Sequence, residues 1–193
     1  MTAYSTTADD ILACAKRLIL KGGYNGFSYA DIAAVVLIRK ASIHHHFPSK
    51  LDLVTALIHR HQTETKAGFA QLEAAIAEPD GQLRAYIHYW RDCIEGGETP
   101  FCVCALLASE LPVLPEPLIV EIEAYFKSLS RWLTAVLERG QADGSLCLKQ
   151  SPQIEAETFM AGVHGAMLSA RAYGDPSMFS KITEPLLQRL TEQ

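Results

Sequence analysis

The sequence predicts an all-α protein of about nine helices: an N-terminal three-helix head built on a helix-turn-helix, and a helical-bundle body behind it. Three observations carry that reading. Apolar residues recur at steps of three and four along most of the chain, and no stretch alternates every second residue as a half-buried strand would. The breaks between these runs fall on proline and glycine, at Gly22-Gly23, Pro48, Pro79-Asp80-Gly81, Gly96-Gly97, Pro112 to Pro117 and Gly174-Asp175-Pro176. Between Asn25 and Leu57, two short helical patterns follow each other with only a few residues between them, the second polar and basic at its start. That is the layout of a helix-turn-helix.

In chain order, Met1 to Ser5 reads as a frayed tail without Lys or Arg, so it offers no basic arm for a minor groove. Thr6 or Thr7 caps the first helix, Asp9 and Asp10 suit its N-terminal dipole, and Ile11, Ala15, Leu18 and Ile19 form its apolar stripe. Ser28 caps the second helix, with Asp31 three residues on in a capping-box arrangement. Ile32, Ala33 and Val36 give it one apolar face, and a break near Leu37-Ile38 follows. The third helix, about Lys40 to His46, is too short to stand alone and needs Ile43 and Phe47 anchored on a neighbour. Pro48 ends it, and Ser49 caps a helix predicted to reach Ile58 and bend into a longer one, before Pro79-Asp80-Gly81 breaks the pattern.

Further helices are predicted over Leu83 to Glu95, rich in aromatics, and over Cys102 to Leu111. Pro112, Pro115 and Pro117 impose an irregular linker. Two long helices follow, Leu118 to Arg139 and Gln153 to Tyr173, the second rich in small residues (Ala161, Gly162, Gly165, Ala166, Ser169, Ala170). Such a pair can bury one face and offer the other to a partner. Ser177 to Leu190 closes the chain.

The segment from Ile32 to Leu53 resembles the DNA-binding signature of the tetracycline-repressor (TetR) family, roughly IA-x-x-x-GVSKGSLYHHF-x-SK-x-x-L. Ile32, Ala33, Lys40, Ser42, Ile43, His45, His46, Phe47, Ser49, Lys50 and Leu53 stand in register. Leu37 replaces the usual turn glycine, Ala41 a common helix glycine, and His44 a common tyrosine that in the family reaches a phosphate. The resemblance covers residues 8–57 and is loose beyond. It implies a DNA-binding domain over residues 1–50 and an effector-binding and dimerisation domain over 51–193. It also implies a repressor of a palindromic operator, and a homodimer through a four-helix bundle made by the last two long helices. The expected partners are double-stranded operator DNA, a second copy and an unknown small-molecule effector.

Charge agrees with this division. The net charge is −5, but residues 1–60 carry seven Lys/Arg against four acids, and the remainder ten against eighteen. A basic head on an acidic body suits DNA at one end only. The candidate DNA-binding residues are Ser28, Arg39, Lys40, Ser42, His44, His45 and Lys50. Those at the start of the recognition helix meet base edges or backbone, and Lys50 beside free helix-terminal N–H groups makes a phosphate clamp.

An effector pocket is expected from Tyr86, Tyr89, Trp90, Cys93, Phe101, Cys102, Phe126, Met160, His164 and Met167, apolar with a few polar tips, although the same residues would serve as ordinary core. Cys102 is also a redox-sensing candidate, because Pro100 puts it in the first turn of a new helix, where a thiolate is favoured. The resemblance adds that several branches of the family open a cavity-lining helix with cysteine, followed by a leucine-rich run and an acid. Cys102, Leu106, Leu107, Ala108 and Glu110 follow that order. The alternative is that Cys102 is a small buried hydrophobe.

No metal or other cofactor is expected. Three consecutive histidines, His44 to His46, project about 100° apart on a helix and cannot converge on one ion. Five cysteines without regular spacing do not make a disulfide framework. With 49% apolar residues and no run of membrane-spanning length, a cytoplasmic protein is expected. A helical-bundle enzyme or small-molecule carrier without DNA binding is the rival class. As an enzyme it would need a convergent acid, base or nucleophile set, which the sequence does not offer outside those histidines.

Overall fold

The computed structural model describes residues 6–97 and 100–192, which leaves residues 1–5, Glu98, Thr99 and Gln193 outside the described residues. Among these residues there are nine α-helices and no strand. The chain divides into two compact units. One comprises the residues up to Glu64 together with Val103–Glu123, and the other comprises Thr65–Cys102 and the residues from Ala124 onward.

In the first unit, α1 (Thr7–Gly22) starts at a capping box: the Asp9 amide donates to Thr6 Oγ1 at 3.2 Å while the Thr6 amide and hydroxyl donate to Asp9 Oδ2. Hydrogen bonds from Thr6, its hydroxyl foremost, hold the Asp9 carboxyl below its usual range, and Arg60 adds to this with a contact of 2.7 Å to Oδ1. α2 (Tyr29–Val36) repeats the device with Ser28 and Asp31. It stops at Leu37, whose φ of 59° is left-handed. α3 (Lys40–His46) follows at once. α4 (Lys50–Ala75) begins at a third box, in which Ser49 and Asp52 exchange hydrogen bonds.

Ile11, Ile19, Ile32, Ile43, Leu53, Val54 and Ile58 are wholly buried, so one apolar residue from nearly every turn meets in a single core. Each such side chain contributes about 1.5–3 kcal/mol through burial, which is what lets a seven-residue helix persist. α6 (Val103–Ala108) packs on α1, adding Val103, Cys104 and Leu107 to the buried set, and a 3-10 turn over Leu111–Val113 leads into α7 (Glu116–Asp143).

The second unit holds the whole of α5 (Pro79–Gly96), α8 (Pro152–Tyr173) and α9 (Ser177–Thr191), with the remainders of α4 and α7. α8 and α9 pack along their length, and α5 lies against α9. The approach of α8 to α9 is close at Gly162, where a Cβ would overlap Leu186 Cδ2. Leu83, Leu133, Phe159, Val163, Met167 and Phe179 are fully buried. Glu155, 1% exposed, is held by Arg189 Nη2 at 2.6 Å and by the Lys149 and Gln150 amides.

Four boundaries differ from the sequence reading. α4 runs unbroken to Ala75. α5 starts at Pro79 rather than Leu83, since proline in the first turn gives up only an N–H that would be unpaired anyway. For the same reason α7 begins at Glu116 with Pro117 inside its first turn, and it extends to Asp143. α6 is shorter than expected and starts after Cys102.

Candidate nucleic-acid interface and effector site

The first unit carries the DNA-facing candidates. Arg39 is the residue before α3, makes no side-chain cap, and is exposed with Lys40. Ser42 is half-buried and His45 exposed. Thr7, Ile38, Arg39, Ala41, Ser42, His45 and His46 line one open hollow at the front of α3. The α3 N-terminus therefore presents two cations, a hydroxyl and an imidazole on a surface backed by the Ile43 anchor. Groups of this kind can donate to phosphate oxygens and base edges.

The remaining DNA-facing candidates are tied into the fold. The Ser28 hydroxyl donates to Asp31 Oδ2 at 2.7 Å. His44 Nδ1 lies 3.2 Å from the Pro48 carbonyl, and its ring sits 4.7 Å from that of Tyr29. Lys50 turns inward: Nζ donates to the Phe27 carbonyl and lies 4.0 Å from the Phe27 ring centroid and 4.9 Å from that of Tyr24. Burial lowers the Lys50 pKa from its usual value.

Sequence reasoning passed over Tyr29 and the partner of Glu110. The Tyr29 hydroxyl donates to the Phe47 carbonyl at 2.9 Å, tying α2 to the end of α3, and burial lifts its pKa to about 12. Glu110 Oε2 accepts the Tyr24 amide at 2.7 Å. Tyr29 could have been suspected as an aromatic at the helix start; nothing local signals a partner 86 residues away.

In the second unit, Tyr86, Trp90, Phe101, Cys102, Met160 and Met167 are buried, while Cys93, Phe126 and His164 are half-buried. Tyr89 is 58% exposed and does not join them. Tyr86 stands among Phe69, Trp132 and Phe159, with ring centroids 6.1, 5.8 and 6.4 Å away. Cys102 Sγ lies 3.4 Å from Tyr125 Oη, whose ring neighbours Phe126, and Phe126 in turn meets His164. Burial pushes the Tyr86 phenol well above its usual range, the Cys102 charge adding to this and the Trp90 N–H opposing it. The Tyr86 hydroxyl, Trp90 Nε1 and His164 Nε2 are buried without a hydrogen-bond partner. Cys102 is wholly buried just ahead of α6. Among the described residues, no helix is long and apolar enough to cross a membrane.

A capped helix-turn-helix head followed by an all-helical body is a layout shared by one-chain transcriptional regulators. Comparison with known proteins agrees. The family described as bacterial regulatory proteins, tetR family, matches residues 11–57, and the tetracyclin repressor-like C-terminal domain matches residues 79–185. The chain belongs to the TetR family of transcriptional regulators. It is 62% identical to a TetR-family regulator from Agrobacterium tumefaciens, with a TM-score of 0.93 over 95% of this chain and 97% of that one. It is 30% identical to a TetR regulator from Legionella pneumophila, with a TM-score of 0.88 over 98% and 100%. It is also 26% identical to the transcriptional regulator AcuR of Cereibacter sphaeroides, over 77% of this chain and 69% of that protein.

Proposed function

We propose that this chain is a homodimeric repressor that grips a near-palindromic operator and releases it when a small effector enters the body. Residues 1–50 carry DNA binding in this reading, and residues 51–193 carry effector binding and dimerisation. The observation that carries it is the front of α3, where Arg39, Ser42 and His45 line one hollow and Lys40 is exposed beside Arg39, on a frame fixed by three capping boxes. Ser28, His44 and Lys50 are counted with the DNA-facing residues in this reading, although each also serves the fold.

Two-fold pairing sets two such helices on one duplex, with half-sites one or more helical turns apart, roughly 34–36 Å per turn. The exposed face of α8 supports dimerisation through the long helices: Ile154 and Leu168 are 52% and 59% exposed, with Ala161 and Gly165 exposed between them. An effector releases DNA only by favouring one head spacing over another. Modification of Cys102 is the second route. Its full burial favours a ligand that reaches the interior over a reagent acting at the surface.

The test is a gel-shift assay on a labelled fragment of the neighbouring promoter. A retarded band that Lys40→Ala weakens supports the reading, and a protein that leaves every promoter fragment and its own upstream region unshifted rules it out.

A further inference from the structure

Tyr86 and Trp90 stand one helical turn apart on α5, so both side chains project from the same face. They are 6% and 5% exposed; the Trp90 N–H is close enough to the phenol oxygen to oppose the rise in its pKa, but the two make no well-formed hydrogen bond with each other or with any other group. A donor left unpaired in the interior costs about 1–3 kcal/mol, and native proteins seldom leave two side by side. The Trp90 N–H can only donate, and the Tyr86 hydroxyl donates as readily as it accepts. A group that satisfies this face must therefore be an acceptor.

The surroundings narrow the acceptor further. The rings against Tyr86 belong to Phe69, Trp132 and Phe159, none of them cationic, and the His164 imidazole meets Phe126 rather than these rings. Trp132 sends its own N–H to Glu73 Oε1 at 3.1 Å and stacks on Phe69 at 3.9 Å, so it lends this place a hydrocarbon surface. An anion stripped of water among aromatic rings needs a cation to repay its lost hydration. A neutral carbonyl needs only the donors. Cys102, wholly buried and directed at Tyr125, lies near enough to act on the Tyr86 phenol.

We propose that the Tyr86–Trp90 face of the body binds a small neutral carbonyl compound, with the Tyr86 hydroxyl donating to its oxygen and the aromatic rings holding its hydrocarbon part. The inference rests on the reading of the body as an effector domain and names the chemistry of that effector.

The experiment uses the full-length protein and three matched probes: cyclohexanone, methylcyclohexane, which lacks an acceptor, and cyclohexanecarboxylate, which carries a charge. Benzaldehyde and ethyl acetate widen the carbonyl set. Binding is read by calorimetry and by thermal unfolding for wild type, Tyr86→Phe and Trp90→Phe. At least one neutral carbonyl compound should bind wild type at least tenfold more tightly than its matched hydrocarbon or carboxylate, and Tyr86→Phe should weaken it tenfold or more. Without any probe, Tyr86→Phe should raise the melting temperature, because it removes an unpaired hydroxyl; a hydroxyl bonded within the fold or to a fixed water would lower it.

The proposal is overturned if no carbonyl probe binds, if the carboxylate binds as well as the ketone, or if Tyr86→Phe melts lower and keeps wild-type affinity. Gel shifts run on the same samples separate the two levels. A protein that shifts its promoter fragment but ignores every carbonyl probe loses this inference alone. One that never shifts DNA loses the regulator reading.

Discussion

The Glu110 carboxylate stands where a side chain at position 23 would begin. A Cβ on Gly23 would overlap Glu110 Oε1, while Oε2 accepts the Tyr24 amide at 2.7 Å. Gly23 also has a φ of +76°, which a side chain resists. Gly23→Ala is therefore expected to lose about 2 kcal/mol or more, and Glu110→Ala about 1–3 kcal/mol by leaving the part-buried Tyr24 amide unpaired. The pair should be strongly non-additive in urea unfolding, because Glu110→Ala also removes the obstacle to Gly23→Ala. Simple additivity of the two losses would mean that this contact does not form in solution.

Leu37 lies in the left-handed region and is 88% exposed. It pays backbone strain of about 1–2 kcal/mol and packs almost nothing in return. Leu37→Gly is expected to raise stability by about 1 kcal/mol, the relief of strain being partly offset by the greater freedom of glycine in the unfolded chain. The check is the denaturation midpoint at unchanged slope. A lower midpoint would show that the exposed leucine side chain is engaged in the folded head.

The two lysines of the head should part company. Lys40 is exposed and free to reach a phosphate, so Lys40→Ala should reduce the log–log salt slope of operator binding by about one. Lys50 is bound to the Phe27 carbonyl and two rings, so Lys50→Ala should instead lower head stability by about 1–2 kcal/mol. Titrations of affinity against salt, paired with thermal melts of each variant, distinguish these outcomes.

Glu155 supplies a pH dependence whose sign is fixed. Burial alone would raise its pKa, but Arg189 and the Lys149 and Gln150 amides outweigh burial and leave the pKa below its usual value. A carboxyl depressed in the folded state stabilises above its unfolded pKa, about 4.3, and that stabilisation is lost as pH falls through the folded value. Wild type should therefore lose stability on acidification below about pH 4.3, and Glu155→Gln should flatten that part of the profile. Near neutrality Glu155→Gln should cost about 3 kcal/mol, the low end for a buried pair, because Arg189 is about a third exposed and water screens it. A parallel pair of acid profiles would show that the ion pair is not formed.

The head was largely legible because its signals are local. Ser28 with Asp31 and Ser49 with a run of apolar residues after Pro48 lie within one turn of the helices they start, and the structure places those helices where the spacing predicts. The departures come from proline and from distance. Pro79 and Pro117 read as breakers, yet each opens a helix, since in the first turn a missing N–H is no loss. Lys50 reads as a helix-terminal cation, but its partner, the Phe27 carbonyl, lies 23 residues away and is set by packing. Tyr89 could have been separated from Tyr86 and Trp90 on helical geometry, because it sits a full 100° step from Trp90 and points outward. The unpaired donors at Tyr86 and Trp90 had no sequence signal at all. Periodicity says that they are inside, and only the positions of their neighbours say that they lack acceptors.

The compact unit that carries α3 is built from two stretches of chain, with Val103–Glu123 joined to the residues up to Glu64. Swapping specificities between regulators by exchanging only the N-terminal stretch would thus transplant an incomplete object. The graft would leave the Tyr24 amide facing whatever residue the host carries in place of Glu110, and α1 packed against a foreign α6. A hybrid that also brings residues 103–123 keeps that acceptor and that packing surface together. Where only the shorter exchange is practical, restoring a glutamate and the neighbouring apolar residues of α6 in the host is the smallest repair that returns the borrowed head to its native seat.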